Sequence, residues 1–147
     1  MTDDEVAAYL DEQRVLNVAT IGPTGRPHVV AMWYAMVDQR PSFWTFGKSQ
    51  KVVNLRRDPR LTGLVESGDT YSELRGVEIL GTARIIEDFD AIMGIGRMVA
   101  AKYQGSEAVE SPEVLAFLEA QARKRVGVVI DVERTVSWDH TKLQGTY

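Results

Sequence analysis

Val15-Leu16-Asn17-Val18-Ala19-Thr20-Ile21 runs into Gly22-Pro23-Thr24-Gly25 and then into Pro27-His28-Val29-Val30-Ala31-Met32-Trp33-Tyr34-Ala35-Met36-Val37. Two β-rich runs flank turn chemistry, so the segment reads as a hairpin. The second run is apolar on both alternating faces, with Val29, Ala31, Trp33 and Ala35 on one and Val30, Met32, Tyr34 and Met36 on the other. Successive strand side chains point to opposite sides, so such a strand needs cover twice, from a barrel core and from a second body.

Outward from this hairpin, Asp38-Gln39-Arg40-Pro41 forms the next turn and residues 42–46 complete a three-stranded meander. Upstream, Thr2 and Glu5 stand in capping-box spacing ahead of Val6, Tyr9 and Leu10, which predicts a helix over residues 3–12. Downstream, a short helix over 49–57 stops at Asp58-Pro59, because the residue before proline is pushed out of the helical region. Strands over 61–66 and 76–87 follow. Asp88 caps a helix over 89–104 that ends at Gly105, although Gly94 and Gly96 each cost it about 1 kcal/mol relative to alanine. Ser111-Pro112 opens a last helix, with Arg123-Lys124-Arg125 in its final turn, and a strand over 126–136 leads into the tail 137–147. Six strands without regular strand-helix alternation predict an antiparallel split β-barrel of the α+β class, mainly β with short helices, in one domain spanning 1–147.

Composition narrows the chemistry. The chain is 44% hydrophobic and 26% charged, the profile of a globular domain, and its net charge of -4 gives no general attraction to nucleic acid or an anionic membrane. Cysteine is absent, and His28 and His140 are the two histidines, which excludes thiolate catalysis, disulfides and a histidine-rich metal cage. The start, Met1-Thr2-Asp3-Asp4-Glu5, is acidic where a secretory signal is basic, and no run of about 18 apolar residues occurs, so a cytoplasmic protein is expected.

The most informative stretch for function is Gly47-Lys48-Ser49-Gln50-Lys51-Val52-Val53-Asn54-Leu55-Arg56-Arg57-Asp58-Pro59. It sets two lysines at the start of a helix, where the macrodipole disfavours cations unless an anion lies between them. Ser49, the first-turn N–H groups, Lys48 and Lys51 can together hold a phosphate; the alternative is a pair of solvated lysines. Trp33, Tyr34, Trp44 and Phe46 on neighbouring strands can face a planar ring or serve as core and dimer packing. His28 reads as an exposed hairpin residue, and His140, beside Asp139, lies in a tail able to reach a second subunit. Gly94-Ile95-Gly96 has no third glycine in dinucleotide-binding spacing and follows no strand.

In Val18-Ala19-Thr20-Ile21, Gly25-Arg26-Pro27-His28-Val29, Met32-Trp33-Tyr34 and 48–60, and more weakly from Glu78 to Trp138, the chain resembles the pyridoxamine 5'-phosphate oxidase-like superfamily. Within it, the resemblance is to the small actinobacterial branch that uses the deazaflavin coenzyme F420. It implies an FMN-binding-protein-like barrel and a homodimer with a coenzyme site at each interface. The ring would lie along the second strand near Val30, Met32 and Trp33, and Lys51 would bind the phosphate with Lys48, Ser49, Gln50 and Arg57 as neighbours. The chain lacks the Arg-Leu-x-Pro-type ending of true pyridoxamine phosphate oxidases, which argues against vitamin B6 oxidation. The function implied is an F420-dependent oxidoreductase passing a hydride to an enone, lactone or quinone, with no metal and no catalytic residue identified. An FMN-dependent reductase and a coenzyme carrier without its own catalysis are the alternatives.

Overall fold

The computed structural model describes residues 1–143. In chain order the elements are α1 (Asp3–Glu12), β1 (Val15–Ile21), β2 (Pro27–Trp33), β3 (Ala35–Val37), β4 (Arg40–Phe46), α2 (Gln50–Arg57), β5 (Arg60–Ser67), β6 (Arg75–Ile86), α3 (Phe89–Gln104), α4 (Pro112–Ala122) and β7 (Arg125–Asp139), with short 3-10 turns between some of them. The strands form one antiparallel sheet in the order β2-β1-β5-β6-β7-β4-β3. β2 and β3 are consecutive in the chain and occupy opposite ends of that order, so the sheet rolls up and its two edges meet at Tyr34.

That junction makes seven strands where the sequence pattern predicts six. The run expected as one strand breaks at Tyr34, whose ring is fully buried and whose hydroxyl donates to the Leu10 carbonyl at 2.5 Å. Before the break the chain pairs with β1, and after it with β4. Tyr34 and Ala35 are buried in succession because both faces are covered at the junction: Tyr34 enters the barrel core, and Ala35 packs against Ile95 and Val99 of α3. The turn from β3 to β4 carries Asp38 and Gln39 at φ 48° and 62°, the left-handed pair that a tight two-residue hairpin requires.

The barrel interior holds Leu16, Val18, Phe43, Val65, Val77, Ile79, Val128 and Ile130. The two ends of the barrel are closed by different helices. At one, Tyr9 and Leu10 of α1 are buried, and the Tyr9 hydroxyl pairs with Ser67 Oγ at the end of β5. At the other, α2 is tied to the end of β1. The capping box of α1 is present as expected, with the Thr2 and Glu5 side chains each meeting the other's backbone N–H. α4 stops at Ala122, so Arg123-Lys124-Arg125 fall beyond its last turn, with Arg125 already pairing in β7. β7 runs on to Asp139, opposite Arg75, so the first residues of the expected tail belong to the sheet. Residues 144–147 of that tail lie outside the described residues.

Candidate functional site

α2 packs through Lys51, Val52, Asn54 and Leu55, a buried stripe at helical spacing that includes a cation and an amide. Lys51 is 9% exposed, and its Nζ donates to Thr45 Oγ1 of β4 at 2.9 Å. Burial pushes its pKa down. Among the described residues no carboxylate pairs with it, so a neutral hydroxyl is the partner of a desolvated ammonium. Ser49 caps the helix from an extended conformation, but its hydroxyl makes no capping bond and is buried without a partner.

Asn54, fully buried, organises the rest. Its Nδ2 donates to Thr20 Oγ1 at 3.0 Å, while its Oδ1 accepts from Gln50 Nε2 at 2.8 Å and from Arg57 Nη2 at 3.4 Å. Arg57 also donates to the Ile21 carbonyl. Gln50, Asn54 and Arg57 are thereby fixed to the end of β1, and Lys51 to β4. Thr20, Thr45 and Asn54 were not singled out from sequence. Their signal is a polar residue at an inward position of an otherwise apolar strand or helix stripe.

The other expected site residues fall in two groups. Lys48 is exposed in the turn before α2, so of the two lysines only Lys51 is desolvated. Val30 and Met32 point inward and pack on the barrel core. Trp33 points outward, 58% exposed, with its ring stacked on Tyr103 of α3 at 4.1 Å between centroids and 15° between planes. His28 pairs across from Thr20, beside the α2 network, and Trp33 stands five residues further on, roughly 16 Å along the strand at 3.3 Å per residue. The structure therefore assembles Ser49, Gln50, Lys51 and Arg57 at one end of β2 and leaves Trp33 at the other.

His28 departs from expectation. His28 is half-buried, with Nδ1 buried and unpartnered, because its side chain turns to the inner face shared with Val30 and Met32. His140 Nδ1 pairs with the Tyr71 carbonyl at 2.8 Å, and its ring tilts against that of Tyr71. Neither is hydrogen-bonded to a carboxylate among the described residues. No group of three or more acidic or histidine side chains suited to a metal ion occurs among them either, and no helix is long and apolar enough to cross a membrane.

The family model for pyridoxamine 5'-phosphate oxidase matches residues 2–139. The chain belongs to this family. Among solved structures it is similar to Rv2991, a conserved hypothetical protein from Mycobacterium tuberculosis, at 45% identity and a TM-score of 0.91 over 97% of this chain and 88% of that one. An F420 reductase shares the fold at 23% identity and a TM-score of 0.68, covering 88% of this chain and 94% of that one. A FAD-binding protein from Mesorhizobium loti shares it at 19% identity and a TM-score of 0.65, covering 93% and 94%. No curated protein matches the chain. The α2 network and the exposed Trp33, stacked on the half-buried Tyr103 of α3, lie at opposite ends of β2.

Proposed function

We propose that the chain is an oxidoreductase that binds a phosphorylated deazaflavin, coenzyme F420, with FMN as the alternative coenzyme. The observation that carries this reading is Lys51: an ammonium buried beside a neutral hydroxyl is costly unless an anion arrives to pair with it. Ser49 Oγ, buried and unpartnered at the head of the same helix, is a second group that an anion satisfies after a side-chain rotation. These residues fit a phosphate. Lys51 and Ser49 hold it, Gln50 and Arg57 border it, and Lys48 adds an exposed positive charge.

When bound, the coenzyme supplies the hydride chemistry. The protein's part is to hold the phosphate at α2, lay the ring along β2 toward Val30, Met32 and Trp33, and exclude water. A second copy of the chain is the proposed cover for the outer sheet face, where Val29 is 61% exposed, Trp33 is 58% exposed, and Val15 and Val136 stand uncovered. α3 covers only the half of that face around Ala35 and Trp44.

Fluorescence titration with F420 and with FMN tests the reading. F420 should bind more tightly, and its affinity should fall more steeply with salt because it carries more negative charge. Lys51→Met should weaken both by about ten- to hundredfold, through loss of a charge-assisted hydrogen bond. Tighter binding of FMN reverses the order of coenzymes. Unchanged affinity in the variant removes the anion site from α2. A monomer in sedimentation at micromolar concentration excludes the shared interface.

A further inference from the structure

The polar cluster at the head of α2 has a neighbour on β2. His28 stands directly opposite Thr20 in the β1–β2 pairing. Opposite residues of an antiparallel pair project to one face with their Cβ atoms about 4.5 to 5.5 Å apart, so the imidazole lies beside the Thr20 side chain. Thr20 Oγ1 accepts from Asn54 Nδ2 at 3.0 Å, and Asn54 Oδ1 accepts from Gln50 Nε2 at 2.8 Å, in the first turn of the helix. A line of polar side chains thus runs from His28 to the head of α2, where Ser49 and Lys51 stand. β2 is an edge of the sheet and pairs with β1 alone, so no further strand lies beyond His28.

The groups at this end of the barrel share one deficiency. His28 Nδ1 and Ser49 Oγ are buried with no hydrogen-bond partner, and Lys51 Nζ, an ammonium with three N–H donors, has Thr45 Oγ1 alone among the described residues. Buried polar atoms are nearly always matched, so two unmatched atoms near a desolvated ammonium point to a ligand. Its chemistry follows from the donors. Lys51 and Ser49 can both donate, and a neutral imidazole carries one N–H that its tautomer can place on Nδ1. What is lacking is an acceptor, and the Lys51 charge makes it an anion, since a cationic ligand is repelled.

We propose that His28 is a third ligand of the coenzyme phosphate, donating from Nδ1–H on the β2 side while Ser49 and Lys51 donate from the helix side. The inference rests on α2 holding that phosphate, and it adds the opposite wall of the cradle. Two walls fix the anion's position as well as its charge, because Asn54 ties α2 to β1 and β1 carries β2 in register.

Fluorescence titration of the whole chain tests the assignment with ligands that differ in the phosphate: F420 against its phosphate-free deazariboflavin core, and FMN against riboflavin. His28→Phe keeps a flat ring and removes both nitrogens. It should weaken F420 and FMN about tenfold and leave the phosphate-free pair unchanged. His28→Asn, whose amide N–H can stand near the place of Nδ1–H, should recover most of the loss. Without ligand the thermal midpoint of His28→Phe should hold or rise, because an unmatched buried nitrogen is removed. His28 and His140 are the two histidines, so the imidazole nitrogen signals absent from His28→Phe identify Nδ1 in nitrogen-15 spectra of the parent. That signal should move when F420 or FMN saturates the protein. Equal weakening of phosphate-bearing and phosphate-free ligands would make His28 a ring or packing contact and overturn the assignment, as would an Nδ1 signal that coenzyme leaves in place. Lys51→Met separates this inference from the site it rests on. If Lys51→Met weakens coenzyme and His28→Phe does not, the phosphate sits at α2 without His28; if neither does, the anion site at α2 fails and His28 with it.

Discussion

Asn54 Nδ2 donates to Thr20 Oγ1 at 3.0 Å, and this bond between two buried side chains anchors α2 to the end of β1. It sets where the head of the helix stands, and hence where Lys51 presents its charge.

Asn54→Ala breaks that bond and strips Gln50 and Arg57 of an acceptor. Loss of a fully buried hydrogen-bonding centre should lower stability by about 1 to 3 kcal/mol in urea unfolding. Coenzyme affinity should fall as well, because the cradle loosens. A variant as stable as the parent would mean that α2 is held by Val52 and Leu55 alone.

Lys51→Met keeps the buried stem and deletes the charge, so without coenzyme its stability at neutral pH should stay within about 1 kcal/mol of the parent while coenzyme affinity drops. Alanine is the poorer test, because truncating a buried side chain adds a packing loss to the loss of charge. Burial lowers the Lys51 pKa below the 10.5 of a free lysine. In that window the unfolded chain binds the extra proton, so the parent should gain stability relative to Lys51→Met as pH climbs toward 10.5. Thermal midpoints of both proteins at pH 7 and pH 10 check the sign, and a parent that loses ground on going alkaline contradicts it.

The two glycines of α3 should respond in opposite directions to alanine. A Cβ at Gly94 meets nothing within 4 Å, so Gly94→Ala should stabilise by about 1 kcal/mol through helix propensity. A Cβ at Gly96 would stand 2.6 Å from a ring carbon of Trp44, with two more ring atoms at 2.8 Å. Gly96→Ala should therefore cost about 1 to 3 kcal/mol before the propensity gain. Chemical denaturation of the pair settles it, since the same sign for both would show that Trp44 yields.

The Lys142 ion pair and the Thr2 backbone hold the Glu5 carboxyl at about 2, well below its ordinary 4.5. A depressed carboxylate lends its stability above the unfolded value and loses it as pH falls toward the folded one. The advantage of the parent over Glu5→Gln should thus be constant above pH 4.5 and fade on acidification toward about pH 2. A difference in thermal midpoint that ignores pH across this range would show that the contact is solvated.

Local signals were legible where the chemistry is local. The Thr2 and Glu5 capping box, the Asp58-Pro59 stop of α2 and the Gly105 stop of α3 each act within a few residues, and the structure places those helix ends as expected. The break at Tyr34 was not legible, because a run apolar on both faces carries no change of period at the point where its partner strand changes. The cations at 123–125 were expected inside α4, but the end of that helix is decided by where β7 begins to pair with β4.

By itself the sequence determined the helix caps, the hairpin, the family, and the rule that any anion site must be local, since the net charge is -4. Tertiary structure alone decided which of the two lysines is buried: Lys48 is solvated and Lys51 is desolvated against Thr45, three residues apart on the chain. It also turned His28 inward and Trp33 outward on one strand. Burial depends on what the rest of the sheet brings alongside, and a residue's own neighbours in sequence do not carry that information.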